Sequence, residues 1–250
     1  TSKLYVSLDG VYNQINLNTL QDNDGKFLMD KTNMVYVPNT KEIEKVKSHS
    51  ASQQGFVKQQ AILFGNPNYA KNLDWDKVTE MPLAELPGTK EEVLKINEIL
   101  SRENWQTKSF FSDEATEQNL KSVSRPPVLH IATHGFFLPD VLKTDEKIFG
   151  VDPEKAKENP LLRSGLMFTG ADNTIQQIGN PKNQTSDDGI LNAYEAMLLN
   201  LTNTELIVLS ACETGLGEIV NGEGVYGLQR AFQIAGSKTI MMSLWQVSDE

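Results

Sequence analysis

Apolar positions along the chain fall into short runs separated by polar, turn-rich stretches, and their spacing changes near residue 60. Over the first forty residues they alternate: Leu4, Val6 and Leu8, then the pair Asp9-Gly10, then Val11, Ile15 and Leu17. Two-residue alternation about Asp-Gly predicts a β-hairpin. Met34 to Val37, just before Pro38, reads as a further short strand, and the polar stretch to residue 55 as a linker or a surface helix and loop.

From Ala61 the pattern is that of buried strands alternating with amphipathic helices. Ala61-Ile62-Leu63-Phe64 is an apolar run stopped by Gly65-Asn66-Pro67. Thr89 to Glu92 has the spacing of a capping box and precedes Val93, Leu94, Ile96, Ile99 and Leu100, one face of a helix. A shorter helix is expected from Thr116 to Val123, and a second strand over Val128-Leu129-His130-Ile131-Ala132, ending at Thr133-His134-Gly135. Residues 139–188 are rich in Asp, Asn, Lys, Pro and Gly, with one apolar island from Leu161 to Phe168. So long an irregular stretch is expected to form functional or mobile loops beside the cleft. A helical pattern then starts at Asp187-Asp188 and runs through Leu191, Ala193, Ala196 and Leu199. Leu206 to Leu209 is a third strand, ending at Ser210-Ala211-Cys212. Val225 to Ala235 is a helix, and Thr239 to Leu244 a fourth strand. The alternation predicts an α/β fold whose mostly parallel central sheet is covered by helices on both faces and preceded by the N-terminal hairpin region. The expected division is residues 1–55 for that region and its linker, and 56–250 for the core.

Open parallel sheets bind ligands outside the carboxyl ends of their strands. Two of the expected strands end there in reactive side chains, His134 before Gly135 and Cys212 before Glu213-Thr214-Gly215. If the two strands are neighbours, imidazole and thiol share one crevice. The imidazole can then serve as base or ion-pair partner for the thiol, and the amides of Gly135 and Cys212 can hold an oxyanion. The pattern alone leaves a second reading standing, a buried structural cysteine beside a loop histidine.

Other candidates are weaker. His130 and His134 lie four apart, but on a strand that separation spans roughly 13 Å, too far for one metal ion. His130 is expected in the core, and His49 in the polar linker without a role. The glycines from Gly215 to Gly224 lack the Gly-Lys-Ser/Thr ending of a phosphate loop, and no Gly-x-Ser-x-Gly elbow occurs. Glu213, Glu223 and Asp249, each taken alone, read as solvated carboxylates.

Composition narrows the partners. Of 250 residues 39% are hydrophobic and 22% charged, which places the chain among globular proteins. There are 33 acidic and 23 basic side chains, a formal charge of −10, which argues against a nucleic-acid surface. The single cysteine, Cys212, excludes an intramolecular disulfide and fits a reducing compartment. No apolar run approaches the roughly 20 residues of a membrane span, and no signal pattern stands at the start. A cytoplasmic protein needing no metal or cofactor is expected.

The sequence resembles the CHAT domain, a caspase- and separase-like cysteine peptidase family found behind tetratricopeptide repeats. The resemblance rests on His130-Ile-Ala-Thr-His134-Gly135, Asp188-Gly-Ile-Leu-Asn-Ala-Tyr-Glu195, Leu206-Ile-Val-Leu-Ser-Ala-Cys212-Glu-Thr-Gly215, Gly222-Glu-Gly-Val-Tyr-Gly-Leu-Gln-Arg-Ala-Phe232 and Ser243-Leu-Trp-Gln-Val-Ser-Asp249. It implies a caspase-like sandwich with Cys212 as nucleophile and His134 as its base. It also implies that Asp249 lines the pocket for a basic residue before the cut, as the matching aspartate does in separase-like relatives. The implied activity is a cysteine endopeptidase acting on a protein substrate after Arg or Lys through a thioester acyl-enzyme, controlled by a repeat module or other regulator. The rival readings are a catalytically silent interaction module, and a small-molecule thioester hydrolase or acyltransferase with the same dyad. Members of the family normally continue with a helix and a last strand, so the resemblance implies that this piece follows Glu250, is a separate chain, or was removed.

Overall fold

The computed structural model describes residues 2–7, 15–37, 43–44, 59–138, 149, 151–176, 187–213 and 223–242. Two sheets are present among them. The small one pairs β1 (Ser2–Val6) with β2 (Thr32–Tyr36), the two strands running parallel with Ser2 opposite Thr32 and Val6 opposite Tyr36. The expected hairpin falls mostly on residues 8–14, outside the described residues; within them the differences are a parallel partner for β1 and a non-extended Leu17. β1 takes the strand around Met34 as its parallel partner, Leu17–Thr19 is a turn of 3-10 helix, and a four-residue helix, α1 (Leu28–Lys31), leads directly into β2. Asn16 accepts from the Asn18 amide and so favours the turn over an extended strand there. The Asp9-Gly10 turn lies outside the described residues.

The large sheet has seven strands. β3 (Gln60–Pro67), β5 (Val128–Phe137), β8 (Leu206–Glu213) and β9 (Ile240–Met242) are the four runs read from the sequence. β4 (Gln106–Ser112), β6 (Ser164–Met167) and β7 (Ile190–Asn192) were not anticipated as strands. β4, β3, β5, β8 and β9 form a parallel ladder in that spatial order, and β6 and β7 join antiparallel. β3 accompanies β5 only as far as Ala132. At Gly135 the partners are Glu213 on one edge and Leu166 on the other, so β6 takes over the edge that β3 has left.

Side chains alternate across this sheet. One face of β3 and β5 carries Ala61, Leu63 and Ala132, covered by Val93 of α2 (Pro87–Arg102). The other carries Ile62, Phe64, Leu129 and Ile131. It is covered by Leu120 of α3 (Glu117–Ser122) and by Leu228, Ala231 and Phe232 of the C-terminal helix Glu223–Ile234. Helices thus flank both faces of a mostly parallel sheet, consistent with the caspase-like sandwich. No helix among the described residues is long and apolar enough to cross a membrane.

Two sequence expectations change in detail. The stretch 139–188 is not loop throughout. It contains α4 (Pro153–Glu158), strand β6 and α5 (Ala171–Ile175); within the apolar island Leu161–Phe168, the part from Ser164 to Phe168 is buried and its first four residues join the sheet. The segment after Asp188 begins as β7 and only then turns into a four-residue helix, α6 (Ala193–Ala196). Ile190 and Leu191 are both buried against β6, a contact that overrides the helical spacing.

Candidate functional site

β5 and β8 are adjacent and in register from Val128 opposite Leu206 to Gly135 opposite Glu213, and this ladder sets His134 opposite Cys212. Neighbouring strands lie about 4.8 Å apart, so the two backbones approach as closely as sheet geometry allows. The condition posed by the sequence, that the two strand ends be neighbours, is met. Gly135 is buried between its two strand partners.

His134 is gripped by a segment that the sequence did not single out. Its Nε2 lies 2.8 Å from the carbonyl oxygen of Ala84. A carbonyl only accepts, so Nε2 carries a proton and Nδ1 is the basic nitrogen of the neutral ring. The backbone amide of His134 donates to the Tyr69 hydroxyl at 3.3 Å, and the two rings lie 5.1 Å apart at 44°. Tyr69 is only 2% exposed. The directions in this network follow from its last member. Thr133 donates its hydroxyl proton to the Met167 carbonyl, so the Tyr69 hydroxyl donates to Thr133 Oγ1, 2.9 Å away, and is left to accept from His134. Ala84 contributes only a backbone carbonyl, which every residue type has, so no residue pattern could have marked it.

Beneath the pair lies a second polar connection. His130 is 3% exposed, as expected of a core residue, and its Nε2 is 3.2 Å from Glu92 Oε1 on α2. The Ser210 hydroxyl donates to Glu92 Oε2 at 2.9 Å. Burial by itself would raise the Glu92 carboxyl, but the bonds to His130 and Ser210 outweigh it and hold the group below its ordinary range. One carboxylate therefore joins β5 and β8, four residues before His134 and two before Cys212.

The Asp188–Glu195 motif serves the fold. Asn192 and Glu195 form a reciprocal cap: Asn192 Oδ1 accepts from the Glu195 amide at 3.0 Å, and Glu195 Oε2 accepts from the Asn192 amide at 3.3 Å. Lys121 bridges Glu195 and the fully buried Glu117, whose Oε2 accepts the Gly189 amide at 3.2 Å. Burial pushes the Glu117 carboxyl up to about 8 in spite of Lys121, and burial raises Asp188 as well. Among the described residues no group of three or more His, Cys, Asp or Glu is placed to hold a metal ion.

Asp249, His49 and the glycines from Gly215 to Gly222 lie outside the described residues. A family model described as the CHAT domain matches residues 1–250, the whole chain. Among curated proteins, none matches it.

Proposed function

The chain belongs to the CHAT domain family, a caspase-like peptidase grouping, and we propose that it is a cysteine endopeptidase using Cys212 and His134. The observation that carries this reading is the register of His134 with Cys212 on adjacent parallel strands. In the proposed reaction His134 Nδ1 takes the thiol proton and the Cys212 thiolate attacks the scissile carbonyl carbon. The tetrahedral oxyanion is held by the amides of Gly135 and Cys212. Collapse breaks the C–N bond, the imidazolium gives its proton to the leaving amine, and a thioester remains. Water then attacks the acyl carbon, giving its proton to Nδ1, and the carboxylic acid and thiol are released. The proton held at Nε2 by Ala84 supports these roles, since it leaves Nδ1 as the exchanging nitrogen.

Asp249 is proposed to pair with an Arg or Lys side chain before the cut, and a tetratricopeptide-repeat module or other regulatory protein to control access. Residues 56–250 would form the catalytic core, with 1–55 as an N-terminal region. The test exposes the parent protein, with candidate activators, to thiol-reactive peptidyl probes bearing Arg, Lys or Asp beside the warhead. Mass spectrometry then locates the adduct. Labelling of Cys212 by the basic probes, abolished in His134→Ala, is expected. Labelling by the Asp probe alone would keep the peptidase and remove the role of Asp249. Hydrolysis of simple thioesters without peptide cleavage would indicate the small-molecule enzyme, and no labelling at all a silent interaction module.

A further inference from the structure

The residues that hold His134 are themselves held. The segment 68–84 leaves the end of β3, passes Tyr69, and returns to Ala84 just before α2, and α5 ties it down at both ends. At the first end the Gly170 amide donates to Asn68 O at 3.0 Å, the Asp172 amide to Tyr69 O at 3.1 Å, and Asn173 Nδ2 to Lys71 O at 2.8 Å. At the second end Gln176 Oε1 accepts the amides of Thr79 and Glu80 at 3.0 and 3.1 Å, and its Nε2 donates to Glu80 O at 2.9 Å. Asp172 Oδ1 accepts the Leu83 amide at 2.9 Å, one residue before the carbonyl that holds His134.

Asp172 is an expensive way to bind one amide. Its side chain has no exposure, burial raises its carboxyl above the ordinary range, and Oδ2 has no hydrogen-bond partner among the described residues. An apolar side chain would fill the same space without burying a half-satisfied carboxyl. What the carboxyl supplies is a fixed position for Leu83, and hence for the Ala84 carbonyl.

We propose that Asp172 and Gln176 are positioning residues for His134, acting through the segment 68–84. The proposal rests on the Cys212–His134 reading and adds to it the control of the histidine from α5. Its physical consequence concerns the ion pair. The Ala84 carbonyl accepts from Nε2–H and so stabilises the imidazolium, which in turn stabilises the thiolate. When the carbonyl drifts, less of the cysteine is held as thiolate in the ion pair, and the thiolate forms only at higher pH, by loss of the proton to solvent.

The chain has one cysteine, so the rate of alkylation by iodoacetamide reports on Cys212 alone. The wild-type protein is expected to react well below the pH at which a free thiol does, and His134→Ala to lose that advantage. In Asp172→Ala and in Gln176→Ala the rate at pH 6 is expected to fall about tenfold, equivalent to one unit in the thiol pKa. It should rejoin the wild-type rate near pH 10, where the thiolate is fully formed. Asp172→Asn keeps the acceptor without the charge and is expected to restore the wild-type profile, which separates positioning from a field effect of the carboxylate. Should Asp172→Ala fail to fold by circular dichroism, Gln176→Ala carries the test. Lower melting temperatures with an unchanged pH profile would overturn the proposal while leaving the dyad intact. A wild-type thiol that titrates normally and ignores His134→Ala would instead overturn the dyad, and the proposal with it.

Discussion

Glu117 is a carboxyl group with no solvent exposure, and its titration reaches beyond its own position. In the unfolded chain it loses its proton near 4.5, and in the fold burial delays that loss to about 8. Between those values the native state binds more protons than the unfolded state. The group's contribution to stability is therefore complete below about 4.5 and is lost as the pH rises toward 8. Glutamine keeps an acceptor for the Gly189 amide without the ionisation. Thermal melts of the wild type and Glu117→Gln at pH 5, 6.5 and 8 should show the wild type losing Tm with rising pH relative to the variant. Parallel curves would mean that Lys121 holds Glu117 ionised throughout. At this scale the chemistry was legible only where it has side chains. His134 and Cys212 stood out as reactive groups at the ends of apolar runs, whereas the Ala84 carbonyl had no signature, and Asp172 and Gln176 sat in a stretch dominated by polar residues.

Among the elements, β3 and α2 meet in a close contact that sets where α2 and Glu92 sit. A Cβ built on Gly65 would lie 2.8 Å from Val93 Cγ2 and 2.9 Å from the Thr89 carbonyl oxygen. The Thr89 hydroxyl closes the same junction by accepting the Asn66 amide at 2.9 Å and donating to Leu86 O at 2.6 Å. Gly65→Ala should push the helix outward, at a cost of about 1–3 kcal/mol. For a chain of this size that is a fall of roughly 3–10 °C in Tm. A Tm within a degree of wild type would show that α2 gives way freely. The buried strands were readable because both faces of the sheet are covered, which turns each strand into a continuous apolar run. β4 was missed because only Phe110 of its seven residues is buried. The parallel pairing of β1 with β2 left no mark in the sequence, because alternation sets which face a strand buries, not which strand it pairs with. Thr89 fits the capping-box spacing, yet the helix begins at Pro87 and the Thr89 hydroxyl serves Asn66 and Leu86 instead.

At the scale of the molecule, the charge of −10 should favour encounter with cationic peptides. If the substrate presents Arg or Lys, the rate of Cys212 labelling by a basic probe should fall severalfold between 0.05 and 0.5 M salt, since that change shrinks the screening length from over 10 Å to under 5 Å. The rate for a neutral probe should not change. Equal salt responses would remove long-range attraction from the account. The sheet also imposes an order of assembly. Among the described residues, the Tyr69 and Ala84 contacts to His134 and the α5 bonds behind them lie between Asn68 and Gln176, so they are synthesised before β8. The edge of β5 that receives β8 stays open until then. On the proposed reading, a growing chain carries the base and the residues that support it before it carries a nucleophile. If the chain is the peptidase proposed above, its nucleophile arrives only with β8, and a half-made copy has no means of cutting itself or the nascent chains around it.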